Sequence, residues 1–330
     1  MASIVLQKIA VEFLVILIGW MAHRRGYLGD EPMRALSRFV VDIAFPALVF
    51  TQMVRTVDAD GLRDGWYVPI LAMALLVTAW ATGLLCAPRL AGARLRNTFV
   101  FCVAIPNWVY LPLPIAEALY GTDGIQVILL ANVGAQLLLW SLGVWILRAN
   151  LSPAQALRQV AVNPGLIATV AGIGVALMVP GARTWETLSP ANAPVTPLAA
   201  GAAMQALSFV GGLTVPLQLL VIGAQLAALV PDIHKPSATV VRVTVVRLLV
   251  APSVAVALFW CVARAGLVIP ETTRYCLYLI AAMPVSLTTA LFTERFGGDV
   301  PFGAQAIFFT TLAGLGTVPL IFWMMQRLGL

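Results

Sequence analysis

The stretches IPNWVYLPLPI, residues 105–115, and AAMPVSLTTALF, residues 281–292, decide the fold. Each puts a proline inside an apolar run long enough to cross a bilayer. Proline has no backbone N–H and its ring collides with the preceding turn, so helices running into Pro106 and Pro284 must break near the middle of the membrane. FPALVF at 45–50 and TVPLQLLVIG at 214–223 form a second matched pair. Pro46 and Pro216 are 170 residues apart and Pro106 and Pro284 are 178 apart, so four prolines fall in one register. That register reads as an internal repeat, residues 1–150 followed by residues 151–330.

Composition supplies the surrounding membrane fold. The 330 residues are 61% hydrophobic and 10% charged, with a mean hydropathy of +0.94, whereas a soluble domain carries about 25% charged residues. A soluble globular enzyme is excluded. Apolar runs between charged or Pro/Gly-rich breaks predict helices at 4–22, 34–55, 66–87, 97–120, 124–147, 163–180, 200–229, 237–263, 271–294 and 300–327. The first run is too long for a signal-peptide core and has no A-x-A-like cleavage site before His23, so it reads as a retained helix. Five helices followed by five, with matched broken members, is an odd-numbered repeat, so the second copy runs inverted, as in many secondary transporters. The fold class is an all-α polytopic membrane protein, with ten transmembrane helices in two inverted five-helix repeats and helices 4 and 9 broken.

Alternating the loops gathers Arg24, Arg25, Arg34, Arg38, Arg89, Arg94, Arg96, Arg148, Arg158, Lys235, Arg242, Arg247 and Arg295 on one side. Lys8, Arg55, Arg63, Arg183, Arg264, Arg274 and Arg327 fall on the other. Thirteen against seven makes the first side cytoplasmic and both termini extracytoplasmic. Only Lys8 and Lys235 among the basic residues are lysine, a bias of GC-rich genomes that points to a bacterial inner membrane. The net charge of +6 sits in clusters beside apolar runs, a topology signal and not a nucleic-acid-binding stripe. Cys86, Cys102, Cys261 and Cys276 have no CxxC or His-spaced partner, and His23 and His234 stand in basic loops, so no metal, redox centre or cofactor is expected. Enzyme motifs are missing, and Asp58, Asp60 and Asp64 with Arg55 and Arg63 read as a solvated outer connection.

The chemistry is expected at the breaks, where free N–H groups and positive half-helix ends can hold an anionic group. Asn107 directly follows Pro106, and two readings of it stand: its amide binds a carboxylate, or it repairs the broken backbone. After Pro284 come Ser286, Thr288 and Thr289, short hydroxyls able to bond either a ligand or the backbone. Asn132 and Gln136 share a helix face one turn before Trp140, and serve either a ligand or helix–helix contact. Glu12, Asp42 and Glu117 are carboxylates within or beside spans, where charge is costly and function is the default reading. Asp42 and Glu117 are the candidates for ion coupling, against an Asp42–Arg38 ion pair and an interfacial Glu117.

IPNWVYLPLPIAEALYG at 105–121 resembles the fourth-helix crossover of the auxin efflux carrier family, through Pro106, Asn107, Pro114, Tyr120 and Gly121. The segment at 281–299 is similar to that family's ninth-helix crossover, Asn163-Pro164 to its sixth-helix start, Arg247 with Pro252 to its eighth helix, and Gln136 with Trp140 to its fifth. The resemblance implies crossing broken helices, a scaffold and a transport domain each drawn from both halves, and elevator-like alternating access for small organic anions, malate-like or auxin-like. It implies that Asn107 binds the carboxylate, that Gln136 lines the site and that the chain pairs as a homodimer; Pro106, Pro284, Ser286 and Thr288, read at the breaks, complete the expected substrate site. The chain departs from the family at Trp108, Val109 and Pro112, where smaller residues are usual. A proton- or sodium-coupled symporter and an anion sensor without transport are the competing expectations.

Overall fold

The computed structural model describes residues 2–57, 63–87, 92–147, 158, 161–187, 195–229 and 236–328. Asp58, Asp60, Arg89, Arg148, His234 and Lys235 lie outside them. The regular elements among the described residues are helices, and the single β-bridge among those residues joins Pro106 to Val285 in antiparallel sense.

The first half runs α1 (Ala2–Arg24), α2 (Asp30–Phe39), α3 (Phe45–Thr56), α4 (Val68–Cys86), α5 (Ala93–Ala104), α6 (Pro112–Leu138) and the short α7 (Val144–Leu147). The second half runs α8 (Pro164–Met178), α9 (Val195–Gly212), α10 (Thr214–Leu229), α11 (Ala238–Val245), α12 (Ala251–Arg264), α13 (Glu271–Ala282), α14 (Thr288–Phe296) and α15 (Val300–Leu328). Six helical stretches are long and apolar enough to cross a membrane: Leu6–Arg24, Arg63–Cys86, Pro112–Leu147, Ala199–Ala228, Ala238–Arg264 and Val300–Met325. The other expected spans fall short for physical reasons. The fourth and ninth are split at their prolines, the sixth is the 15-residue α8, and the second carries Arg34, Arg38, Asp42 and Arg55. Gly121, with φ 58° and ψ −136°, kinks α6 and separates the end of the fourth predicted span from the fifth. Its positive φ is a conformation that glycine adopts without steric cost.

Prolines act differently elsewhere. The turns before Pro46 and Pro252 widen into π-helix at Val40–Ala44 and Val246–Val250, so the chain continues as α3 and α12 instead of breaking. Before Pro216 the predicted seventh span is interrupted at Leu213, between α9 and α10.

Two groups of helices emerge from the packing. α1 lies along α10, and α3 lies against α8 and α9. α4 packs on α5, α6 and α12, and α13 on α6, α12 and α15. The α1–α10 contact is backbone to backbone: a Cβ added at Gly223 falls 1.8 Å from the Ile16 carbonyl oxygen, and one at Gly19 falls 2.1 Å from that of Leu220. Small residues at a membrane helix crossing permit this approach, where dispersion and not the hydrophobic effect holds helices together.

Candidate functional site

The two breaks repair each other. α5 ends at Ala104 and α13 at Ala282, and the extended segments that follow run antiparallel. The Asn107 N–H donates to the Pro284 carbonyl at 2.9 Å, and the Ser286 N–H donates to the Ile105 carbonyl at 3.0 Å. Many of the donors expected to be free are likewise consumed locally. The Tyr110 N–H donates to Asn107 Oδ1 at 3.1 Å, the Leu113 N–H to the Val109 carbonyl at 2.9 Å, and the Thr288 N–H to Ser286 Oγ at 3.3 Å. Asn107 therefore does repair the backbone, but with its oxygen alone. A backbone N–H can only donate, which fixes the amide's orientation and leaves Nδ2 for the adjoining cavity.

Behind the crossing stands Arg247, on the π turn between α11 and α12, 1% exposed. Its Nε donates to the Met283 carbonyl at 3.0 Å, Nη1 to the Val103 carbonyl at 2.7 Å, and Nη2 to the Ala281 carbonyl. These acceptors lie at the C-terminal ends of α5 and α13, where helix carbonyls lack intrahelical partners and the partial charge is negative. One guanidinium thus caps both half-helices. The loop count assigns Arg247 to the cytoplasmic basic face, and the structure instead buries it, because its planar fork of donors fits carbonyls that the prolines expose.

In front of the crossing lies a cavity of about 640 Å³. Its floor is formed by buried Asn107, Trp108, Asn132 and Ser286, and its mouth by exposed Val41, Asp42, Val162 and Glu294. The walls are aromatic: Phe45 meets Tyr110 edge-on at 5.8 Å, and Trp140 tilts against Phe292 at 4.9 Å. α8 enters the wall at its N-terminus, where Asn163 accepts from the Leu166 N–H at 3.0 Å and a Cβ on Gly165 would touch Phe45. None of the described lining residues is basic. Gln136 borders the cavity with Oε1 buried and unpartnered, and Thr288, whose Oγ1 accepts from the Ser286 hydroxyl at 3.0 Å, lines it beside Ser286.

Of the residues singled out in the sequence, Asn107, Gln136, Ser286, Thr288 and Asp42 come together on this one cavity. Pro106 and Pro284 are buried on its far side, bordering small voids beside Arg247 and Glu12 respectively. Glu117 is exposed on α6 and does not line the cavity. Sequence reasoning missed Glu294, which no spacing ties to Asp42, and the capping role of Arg247.

Asn132 explains the bulky Trp108: its Oδ1 accepts from the indole Nε1 at 3.0 Å, with both side chains buried. Replacing Asn132 by Leu orphans that N–H, a loss of about 1–3 kcal/mol. The melting temperature in detergent is expected to fall, and adding Trp108→Phe, which removes the orphan donor, to restore most of it.

Residues 4–163 match the model of a family described as membrane transport protein. An uncharacterized transporter of Methanothermobacter thermautotrophicus is 25% identical over 312 residues, covering 93% of this chain and 94% of that protein. The matched segment contains the first crossover, Asn107 and Gln136, part of what carries the resemblance to the auxin efflux carriers; the second crossover at 281–299, Arg247 and Pro252 lie outside it. Apolar helices, a cavity at two broken ones and these matches converge: the chain is a multi-pass membrane transporter, similar over residues 4–163 to the membrane transport protein family.

Proposed function

We propose that the protein carries a small organic monocarboxylate with an aromatic or otherwise apolar body across the membrane. The observation that carries this reading is the cavity floor, where the Asn107 amide faces an aromatic-walled space of about 640 Å³. Two carboxylates at the mouth and no basic residue among the described lining disfavour a dianion such as malate, since a second negative charge would meet only like charge. An auxin-like monoanion needs one donor set for its carboxylate and flat surfaces for its body, and Asn107, Thr288, Trp108 and Trp140 offer both.

In this reading the chain has ten spans in two inverted repeats. The hydrogen-bond pair at the crossing supports it: a shift of 179 residues carries Asn107 to Ser286 and Ile105 to Pro284, so each bond maps onto the other. α1, α3, α8 and α10 form a scaffold in a bacterial inner membrane, and the crossover helices slide past it as an elevator. The cavity is bounded by both groups, which is what alternating access requires. The membrane potential favours export of an anion by about 2.3 kcal/mol per charge per 100 mV.

The test is solid-supported-membrane current from reconstituted protein against indole-3-acetate, other aromatic monocarboxylates and malate. A saturable current with the monocarboxylates, lost in Asn107→Ala while the melting temperature stays within a few degrees, is the expected result. Equal currents in wild type and Asn107→Ala overturn the site. Malate outrunning the monocarboxylates overturns the substrate class, and binding with neither current nor tracer exchange turns the protein into a sensor.

A further inference from the structure

The structure sharply separates the three carboxylates singled out within or beside the predicted spans. Asp42 and Glu117 are exposed, whereas Glu12, in the middle of α1, is 4% exposed. Glu12 Oε1 is buried without any hydrogen-bond partner. The carboxyl borders a void of about 10 Å³ shared with Leu111, Ile115, Met283, Pro284, Gly314 and Val318. That is room for about one water, and its walls are apolar. Pro284 is the ninth-span break itself, so Glu12 sits where α1 meets the back of the crossover.

Among the described residues, Lys8 on α1 is the counter-charge that acts on the group, and no described basic residue of the neighbouring helices stands beside it. α10 carries no charged residue, and α15 has only Arg327 in its last turn. On α6, Glu117 and Asp123 are exposed; on α13, Glu271 and Arg274 lie at the opposite end from Met283. On α1 itself, Lys8 is one turn away and exposed, and His23 and Arg24 are in the last turn. An ionised carboxylate in such a place costs several kcal/mol, and the addition of one proton removes the charge.

We propose that Glu12 is a proton-binding site at the sliding contact between scaffold and crossover. The carboxyl holds one proton while α1 lies against the Pro284 break. When the crossover moves away and water enters, the O–H bond breaks, its electron pair stays on the carboxylate, and the proton passes to water. The sliding rests on the transport reading above; the resident proton does not. The proton occupies a site separate from the substrate cavity, which places coupling on the opposite side of the crossing from Asn107.

Infrared spectroscopy of the reconstituted full chain at neutral pH, with no anion added, tests the resident proton. A deuterium-sensitive carbonyl-stretch band of a protonated carboxylic acid is expected in wild type, in Asp42→Asn and in Lys8→Met, and its loss in Glu12→Gln, which keeps the shape and cannot ionise. A spectrum of wild type without that band overturns the proposal, as does a band that survives in Glu12→Gln or appears only once Lys8 is removed. Hydrogen exchange of residues 281–290, corrected for intrinsic rates, tests the release. Opening of the wild-type segment is expected to rise with pH by up to about tenfold per unit, the slope of one proton, and to lose that dependence in Glu12→Gln. A slope unchanged in Glu12→Gln overturns the release step while leaving the transport reading intact.

Discussion

Arg247→Met is expected to be the most damaging single substitution in the molecule. It removes three hydrogen bonds at once, from Val103, Ala281 and Met283, in a region closed to water. Each orphaned carbonyl costs about 1–3 kcal/mol, so the loss is roughly 3 kcal/mol or more, and it falls on both half-helices together. The protein is expected to melt far below wild type in detergent and to be degraded in cells. Arg247→Lys retains the charge but offers one compact ammonium in place of a planar fork, and is expected to recover only part of the loss. A methionine variant as stable as wild type would mean that the half-helix ends do not depend on this cap.

The second large effect is expected at Gly223. A leucine there drives a Cβ into the Ile16 carbonyl, and no side-chain rotation relieves the clash, because the atoms it meets, the Ile16 carbonyl and the Trp20 nitrogen, are main chain. α1 and α10 must separate, at a cost of about 1–3 kcal/mol or more. Gly19→Leu attacks the same contact from the other helix through the Leu220 carbonyl. The double variant is therefore expected to lose much less than the sum of the two single losses, since helices already forced apart accept the second side chain. Melting temperatures of the two single variants and the double variant decide this, and strict additivity would show that the two glycines serve separate contacts.

Proline made the crossover legible in the sequence, because its missing N–H and its ring act on the residues immediately before it whatever the surroundings. The same rule does not separate a break from a bulge. Pro106 and Pro284 interrupt their helices, while Pro46 and Pro252 are absorbed by π turns, and the difference is made by what receives the freed carbonyls. That receiver, Arg247, stands 141 residues beyond Pro106 in the chain and looks in sequence like one more flanking cation. Asn107, Gln136, Ser286 and Thr288 were findable because polar groups are rare in apolar runs, yet their division of labour was not. The Asn107 oxygen serves Tyr110, Ser286 serves Thr288, and Asn132 serves Trp108, pairings that only the folded backbone creates. Carboxylates were the least legible: hydropathy ranks Asp42, Glu117 and Glu12 alike, and burial, a property of neighbouring helices, sets Glu12 apart.

The guanidinium tied to both half-helices also has an electrical consequence. In the elevator reading Arg247 travels with the crossover, so a bound monoanion and this fixed cation move together and their charges cancel. The loaded step then crosses the field with little electrical work. The empty return carries a lone positive charge, and an inside-negative potential pulls it inward, with up to about 2.3 kcal/mol per 100 mV if it spans the whole field. Voltage would thus act on the resetting of the carrier after export, and not on the passage of its cargo.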